Sequence, residues 1–323
     1  MNYRAYSELT DTPHVVVDGS AQEGTVLTLS HWPGAATPET LRADLSAEIA
    51  FNYLDDPEFH VDTPYVTNNH FDQDGLVAVF ALTQPDAALA RRERLIDIAR
   101  AGDFGRFHHR DAARAAIASA NLGAAAEGDA YDVVLPQLVA LADDVGSFEE
   151  YWAEEDAHIT ATELAIAAGD ITIAEHPELD LAIVTVPPSW TALTVHRFSA
   201  TDVDAAHPYA IHNATDRFKV LTIGTGPPVL RYRYETWVHY TTCRPRPRVD
   251  LTDLAATLTE RDAGPSTWTF DGVQGLNPAL HLVDAETTSI TDADFVAAVS
   301  GELGAARSTW SPYSALCWRR SVG

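Results

Sequence analysis

Residues 65–82 constrain this chain more than any other stretch. They read Tyr65-Val-Thr-Asn-Asn-His70-Phe-Asp72-Gln-Asp74-Gly75, followed by Leu-Val-Ala-Val-Phe-Ala-Leu82. The pattern is a short apolar strand, a polar tip, a glycine that permits a turn, and an apolar helical run. On an extended backbone, side chains two apart point the same way. His70, Asp72 and Asp74 therefore converge at the strand's end. One imidazole with two carboxylates suits a divalent metal better than a hydrophobic core. The helix N-terminus behind Gly75 favours an anionic group nearby. A calcium loop is excluded, because its first and twelfth positions would be His70 and Ala81 rather than acids. The competing reading is a polar turn without function.

Further strands and helices flank this stretch, without an internal repeat. Pro13-His-Val-Val-Val-Asp18 reads as a buried strand ending in a carboxylate, and Thr25–Ser30 as a second strand ending at His31-Trp32-Pro33-Gly34. A helix is expected from Pro38, carrying Leu41, Leu45, Ile49 and Leu54 at helical spacing. Helical stretches follow near 85–101, 110–121, 131–143 and 147–168. After Gly169-Asp170 short strands dominate, near 171–174, 179–186, 193–198, 218–223 and 229–240, with helices near 250–261 and 292–303. The fold class is thus α/β: a parallel-type sheet domain with several helices over residues 1–168, then a smaller α+β domain over 169–323.

The formal net charge is −26 over 323 residues. Such a field repels nucleic acid and anionic membranes, so non-specific binding to either is excluded. No segment approaches the roughly 18 apolar residues of a membrane helix, and Met1–Glu8 lacks a signal-peptide core. These features predict a cytoplasmic protein. A homodimer is compatible with them. Cys243 and Cys317, the only cysteines, are too few for a cysteine-based zinc site unless other residues complete it.

Against this acidic background, residues 217–248 are locally basic, with Arg217, Lys219, Arg231, Arg233, Arg244, Arg246 and Arg248. Arg231 and Arg233, two apart on an expected strand, share a face. Guanidinium forks bind phosphate or carboxylate well. With His212-Asn213 they form the candidate substrate clamp. The competing reading is that these arginines neutralise acidic surface.

Two families share parts of the central motif. Asp72-Gln-Asp74-Gly75 resembles the first motif of haloacid-dehalogenase-like phosphatases, which implies Asp72 as a nucleophile. The run His70-x-Asp72-x-Asp74-Gly75 is more similar to the first motif of the DHH phosphoesterase superfamily. Three further segments carry that resemblance: Ala101-Gly-Asp103-Phe-Gly-Arg-Phe107, Val15-Val-Val-Asp18 and Leu45-Ser-Ala-Glu-Ile49. The segments stand in permuted order, and Gly19-Ser20 follows Asp18 where the family has two histidines. His31, at the end of the adjacent strand, is the candidate replacement. The resemblance spans residues 13–110. It implies a metal site held by His70, Asp72, Asp74, Asp18 and Asp103, with Asp72, Asp74 and His31 as catalytic residues. It also implies one or two Mn²⁺ or Mg²⁺ ions and a water-driven attack on a small phosphorylated or nucleotide-like substrate. Mixed imidazole and carboxylate ligands lean towards Mn²⁺. Taken singly, Asp103 also reads as a helix-terminating surface acid, Asp18 as a turn residue, and His31 as a packed histidine. A metal- or ligand-binding protein without turnover is the reading outside enzymes.

Overall fold

The structure, a computed structural model, describes residues 1–190, 193–197, 200–265, 267–283, 285–305 and 309–313. Cys317 lies outside them. The chain forms two compact units. The first is Met1–His158 with parts of 194–202 and His239–Cys243; the second comprises Ile159–Leu193 and the remaining segments.

In the first unit, strands β1 (Asn2–Tyr3), β2 (His14–Val17), β3 (Thr25–Leu29) and β4 (Tyr65–Thr67) make a sheet in the order β1-β4-β2-β3. All three pairings are parallel. The Val15-Val-Val run of β2 is completely buried, as expected of a central parallel strand. Its β-branched side chains fit that pleated surface. The connection from β2 to β3 contains no helix. It begins at Asp18, which holds a left-handed φ of +44° and turns the chain sharply at the strand end. Because the strands run parallel, β2, β3 and β4 present their carboxyl ends on one side, where ligands of open α/β sheets bind.

Helices α1 (Ser46–Asp55), α2 (Gln73–Thr83), α3 (Pro85–Leu89), α4 (Arg92–Phe104) and α5 (Arg110–Ala124) follow in chain order. Every residue of α2 from Gln73 to Leu82 is buried, against α1 on one side and α4 on another. A helix apolar all round belongs in such a core. Burying each large side chain contributes about 1.5–3 kcal/mol, which outweighs the ~1 kcal/mol cost of Gly75 inside the helix. Helices α6 (Ala130–Val134) and α7 (Leu138–Asp143) replace the single helix expected over 131–143. Pro136 lies in the 3₁₀ turn between them, where it lacks a helical donor.

Two expectations are corrected here. The helix read from Pro38 begins only at Ser46; residues 39–41 form one 3₁₀ turn and Arg42 is extended. Leu41, Leu45 and Ile49 are all buried, so the apolar spacing was correct while the backbone between them was not helical. The domain change falls at 158/159 rather than 168/169. It lies within helix α8 (Glu149–Ala168), because Ala165 near its end packs with Ile171, Val184 and Val220 of the second unit.

The second unit is built on a six-stranded sheet. Strands β5 (Thr172–His176) and β6 (Leu181–Thr185) are followed by the pair β7 (Leu193–Arg197) and β8 (Ala200–Asp204), then by helix α9 (Pro208–Ala214). Next come β9 (Lys219–Ile223), β10 (Val229–Tyr232), β11 (Arg248–Val249), α10 (Thr252–Arg261), β12 (Thr267–Phe270), β13 (Ala279–Val283), α11 (Asp292–Ala305) and β14 (Thr309–Trp310). The large sheet runs β12-β13-β10-β9-β6-β5. Only β6 and β9 pair in parallel within it. Leu221, Leu230, Tyr232, Leu258, Trp268, Leu280 and Phe295 form its core. The expected long strand 229–240 stops at Tyr232, because residues 234–236 turn into a 3₁₀ helix. The described helices include none long and apolar enough to cross a membrane.

Arg248 is fully buried in this unit. Its guanidinium donates to Thr236 Oγ1 at 2.7 Å and to the carbonyls of Val273 at 2.8 Å and Leu276 at 2.7 Å. It holds the 273–276 loop by carbonyl oxygens alone. Replacing it strands those acceptors, each at about 1–3 kcal/mol. Arg248→Ala is expected to lower stability by about 3 kcal/mol or more, read from urea denaturation followed by tryptophan fluorescence.

Candidate metal centre

Three strand ends and three helix ends of the first unit meet at one buried cluster. Asp18 leaves β2 with its N–H donating to Leu29 O at 3.0 Å, so β3 pins its strained backbone. Gly19 follows because a Cβ there would lie 2.3 Å from Asn69 Oδ1. His31 leaves β3. Its Nδ1–H donates to the Asp44 carbonyl at 2.6 Å, which turns Nε2 towards carboxylates. Nε2 lies 3.4 Å from Asp18 Oδ1, 3.5 Å from Asp103 Oδ2 and 3.7 Å from Asp74 Oδ2.

Asp74 is clamped by the start of α1. Ser46 N donates to Oδ2 at 2.7 Å and Ala47 N to Oδ1 at 2.8 Å. These are free donors of a helix N-terminus, whose dipole favours the charge. Ser46 Oγ donates to Asp18 Oδ1 at 2.8 Å. Asp72 caps α2, its Oδ1 accepting from Gly75 N at 2.8 Å, the role an N-cap aspartate serves. Its Oδ2 meets His70 Nε2 at 2.7 Å, and the same nitrogen is 3.5 Å from Asp18 Oδ2. Asp103 comes from the end of α4. Gly102 lets that helix close on α2, since a Cβ there would stand 2.5 Å from Gln73.

The result is two ligand groups sharing one residue: Asp18, His70 and Asp72 form one, and Asp18, His31 and Asp74 the other. Either could hold a metal ion. Asp18 turns one oxygen to each histidine, the arrangement of a bridging carboxylate. Its Oδ2 is buried and accepts no hydrogen bond from a described residue, which suits a cation better than a solvated turn. The donor set is imidazole and carboxylate, with no thiolate. Asp103 adds a carboxylate beside His31.

The electrostatics of the cluster are those of buried carboxylates facing protonated imidazoles. Burial would lower the His31 pKa, but the hydrogen-bonded Asp18 carboxylate and then Asp74 hold it up at about 9. Burial would likewise lower His70, yet Asp72 and Asp18 raise it to about 9. Burial and then the Asp18 charge push Asp74 up to about 8, and the same two causes raise Asp72. Burial would raise Asp18, but His31 and His70 bring it below the usual carboxylate range. Protons on the imidazoles thus neutralise the carboxylates that a dication would otherwise bind.

All six residues read from sequence as metal or catalytic candidates, namely Asp18, His31, His70, Asp72, Asp74 and Asp103, come together. The substrate-clamp residues belong to the second unit. His212 and Asn213 lie on α9, and Asn213 Nδ2 donates to its own helix at Tyr209 O, 2.7 Å away. Arg231 is half-buried on β10. Arg233 lies beyond the end of β10 and is corrected outright. It is 3% exposed and its guanidinium is ion-paired with the buried Glu235, so it has no fork to offer a phosphate. The sequence reading missed Asp44, which aims His31 through a backbone oxygen and so leaves no side-chain signature. Gly75 sits against two buried side chains, since a Cβ there would meet Asn68 Nδ2 at 2.0 Å and Tyr131 Oη at 2.8 Å.

Residues 1–314 match the model of DUF6687, a family of unknown function, and the chain belongs to that family. No curated protein and no solved structure matches it.

The raised values set a direction for stability. Between the unfolded and folded pKa values of Asp74 and the two histidines, the metal-free folded state holds more protons than the unfolded chain. Stability therefore falls as pH rises through that interval. Chelator-treated protein is expected to melt at lower temperature at pH 9 than at pH 6.5, by differential scanning calorimetry. Asp74→Asn, with one buried charge fewer, should flatten the dependence.

Proposed function

We propose that this member of DUF6687 is a metal-dependent phosphoester hydrolase in which residues around Asp18 would hold one or two ions, Mn²⁺ or Mg²⁺. The observation that carries the reading is the Asp18 carboxylate, which faces His31 through one oxygen and His70 through the other. His70 and Asp72 would complete one position, and His31, Asp74 and Asp103 the other. Further support comes from Asp18 and Asp103, which both face His31 Nε2, at 3.4 Å and 3.5 Å. These segments, with the His70 motif, are those through which the chain resembles DHH phosphoesterases. The substrate class is a small phosphorylated or nucleotide-like molecule.

Ions held there would supply a water of lowered pKa and positive charge for phosphoryl oxygens. The chain's own residues do the rest. Asp44 O fixes His31 in the tautomer that leaves Nε2 facing Asp18, Asp74 and Asp103. The α1 N-terminus holds Asp74 against rotation, and Ser46 Oγ holds Asp18 on the opposite side. Gly75 N fixes the Asp72 rotamer that keeps Oδ2 on His70. The aspartyl-phosphate alternative has less support, because Asp72 has Oδ1 on Gly75 N and Oδ2 on His70. The lone lysine, Lys219, is paired with Asp180 in the second unit.

Protein purified without chelator is expected to carry about one or two transition-metal ions per chain by elemental analysis. Protein that is metal-free and indifferent to Mn²⁺ sinks the reading. Asp18→Asn should lose most metal from both positions and lower phosphodiesterase turnover about 100-fold or more. Ser46→Ala, acting on the ligand's orientation, should cost about 10-fold in metal affinity. Binding must displace protons from His31 and His70, so the Mn²⁺ dissociation constant is expected to fall from pH 6.5 to 8.5 by calorimetry. If metal binds and a broad phosphoester panel stays intact, a binding protein without turnover replaces the hydrolase.

A further inference from the structure

The second unit contains a site of different chemistry. A cavity of about 200 Å³ is lined by two cations, Lys219 and Arg246, with Glu178 on its wall and Leu179, Val249 and Leu303 among its apolar surfaces. Lys219 is the only lysine in the chain and is 2% exposed. An ammonium has three N–H donors. One reaches Leu179 O at 3.2 Å and another Asp180 Oδ2 at 3.4 Å, both at the long end of the range. The third has no acceptor among the described residues. Asp180 is a divided partner: its Oδ1 accepts from Phe218 N at 3.0 Å, and its own φ is +56°.

Arg246 is exposed and makes no hydrogen bond or ion pair with a described residue, in a chain with 47 acidic and 21 basic side chains. Burial lowers the Lys219 pKa, the Asp180 carboxylate offsets part of that, and the charge of Arg246 adds a smaller lowering. Two like charges on one small cavity repel each other, and an anion between them removes that cost. Lys219 is already partnered by Asp180, so the donors left over are its third N–H and the Arg246 guanidinium, which suit one carboxylate better than the dianion of a phosphate monoester. The apolar surfaces match a short hydrocarbon body.

We propose that this cavity binds a small organic monocarboxylate, its headgroup between Lys219 and Arg246 and its body against Leu179, Val249 and Leu303. The site lies wholly within the second unit and does not rest on the hydrolase reading.

Because Lys219 is the sole lysine, selective ¹³Cε-lysine labelling gives one side-chain resonance that reports this site alone. The experiment titrates butanoate, hexanoate and octanoate into full-length, chelator-treated protein, with hexanamide and inorganic phosphate as controls. At least one carboxylate is expected to shift the resonance saturably, and hexanamide is not. Arg246→Gln removes an exposed, unpaired side chain and should leave the unfolding midpoint in place. It should weaken carboxylate binding about ten-fold. Lys219→Met, which lacks the labelled lysine and is read by calorimetry instead, should abolish binding, and a variant that fails to fold leaves Arg246→Gln to decide. A resonance unmoved by every carboxylate overturns the proposal, as do equal shifts by hexanamide or unchanged affinity in Arg246→Gln. Tighter binding of phosphate overturns the carboxylate assignment. Working on metal-free protein keeps either result independent of the metal centre.

Discussion

Everything in the first unit is arranged to keep negative charge inside. Asp18, Asp72, Asp74 and Asp103 are all buried around two histidines, and bare carboxylates in such surroundings are costly. The fold answers with three devices. Parallel strands bring three chain segments to one edge, helix N-termini supply backbone donors, and the imidazoles take up protons. Asp74 shows the second device most plainly, since both its oxygens rest on the first N–H groups of α1. The sheet and helices would pack without the acids. That placement holds Asp18 ionised, while burial and the Asp18 charge still push Asp74 up to about 8.

The same logic explains why helix α1 starts late. Continuing the helix back to Pro38 would satisfy Leu41, Leu45 and Ile49 equally well by period. It would also coil Asp44 and Ser46 into the helix interior. Extended backbone there frees the Asp44 carbonyl for His31 and the Ser46 and Ala47 N–H groups for Asp74. Local helix-forming tendency yields to the needs of the buried charges, as expected where function overrides consistency.

Much of this was readable in the chain before any coordinates. The apolar run after Gly75 marks a buried helix, and His70 and Asp72 do meet. Asp74, however, stands in the first turn of α2 and joins the other ligand group, so an extended backbone with period two does not describe all three. Asp18, His31 and Asp103 were legible only as weak motifs, because each is a common residue type at the end of an element. Asp44 was not legible, since it acts through a backbone oxygen. Arg233 was misread. Two residues from Arg231, it looked like a strand neighbour on a shared face, and the partner that claims it, Glu235, is two residues further on. Spacing alone cannot tell a solvent-facing fork from a buried pair when the strand ends between them.

Asp44 has a second life at its side chain. Its carboxylate accepts from the backbone and hydroxyls of Thr241 and Thr242 at 2.5–2.9 Å, while His239 N donates to His31 O at 2.9 Å. The residue that aims His31 is thus tied to a segment almost two hundred positions later in the chain. For a polypeptide that emerges from the ribosome N-terminus first, this sets an order of assembly. The strands and helices bearing the acids are synthesised early, but the setting of His31 is completed only when residues 239–242 arrive. Closing so long a loop costs little more than closing one of half the length. The delay is therefore one of timing rather than stability: the charged cluster is finished only after the strands of the second unit up to β10 have been made.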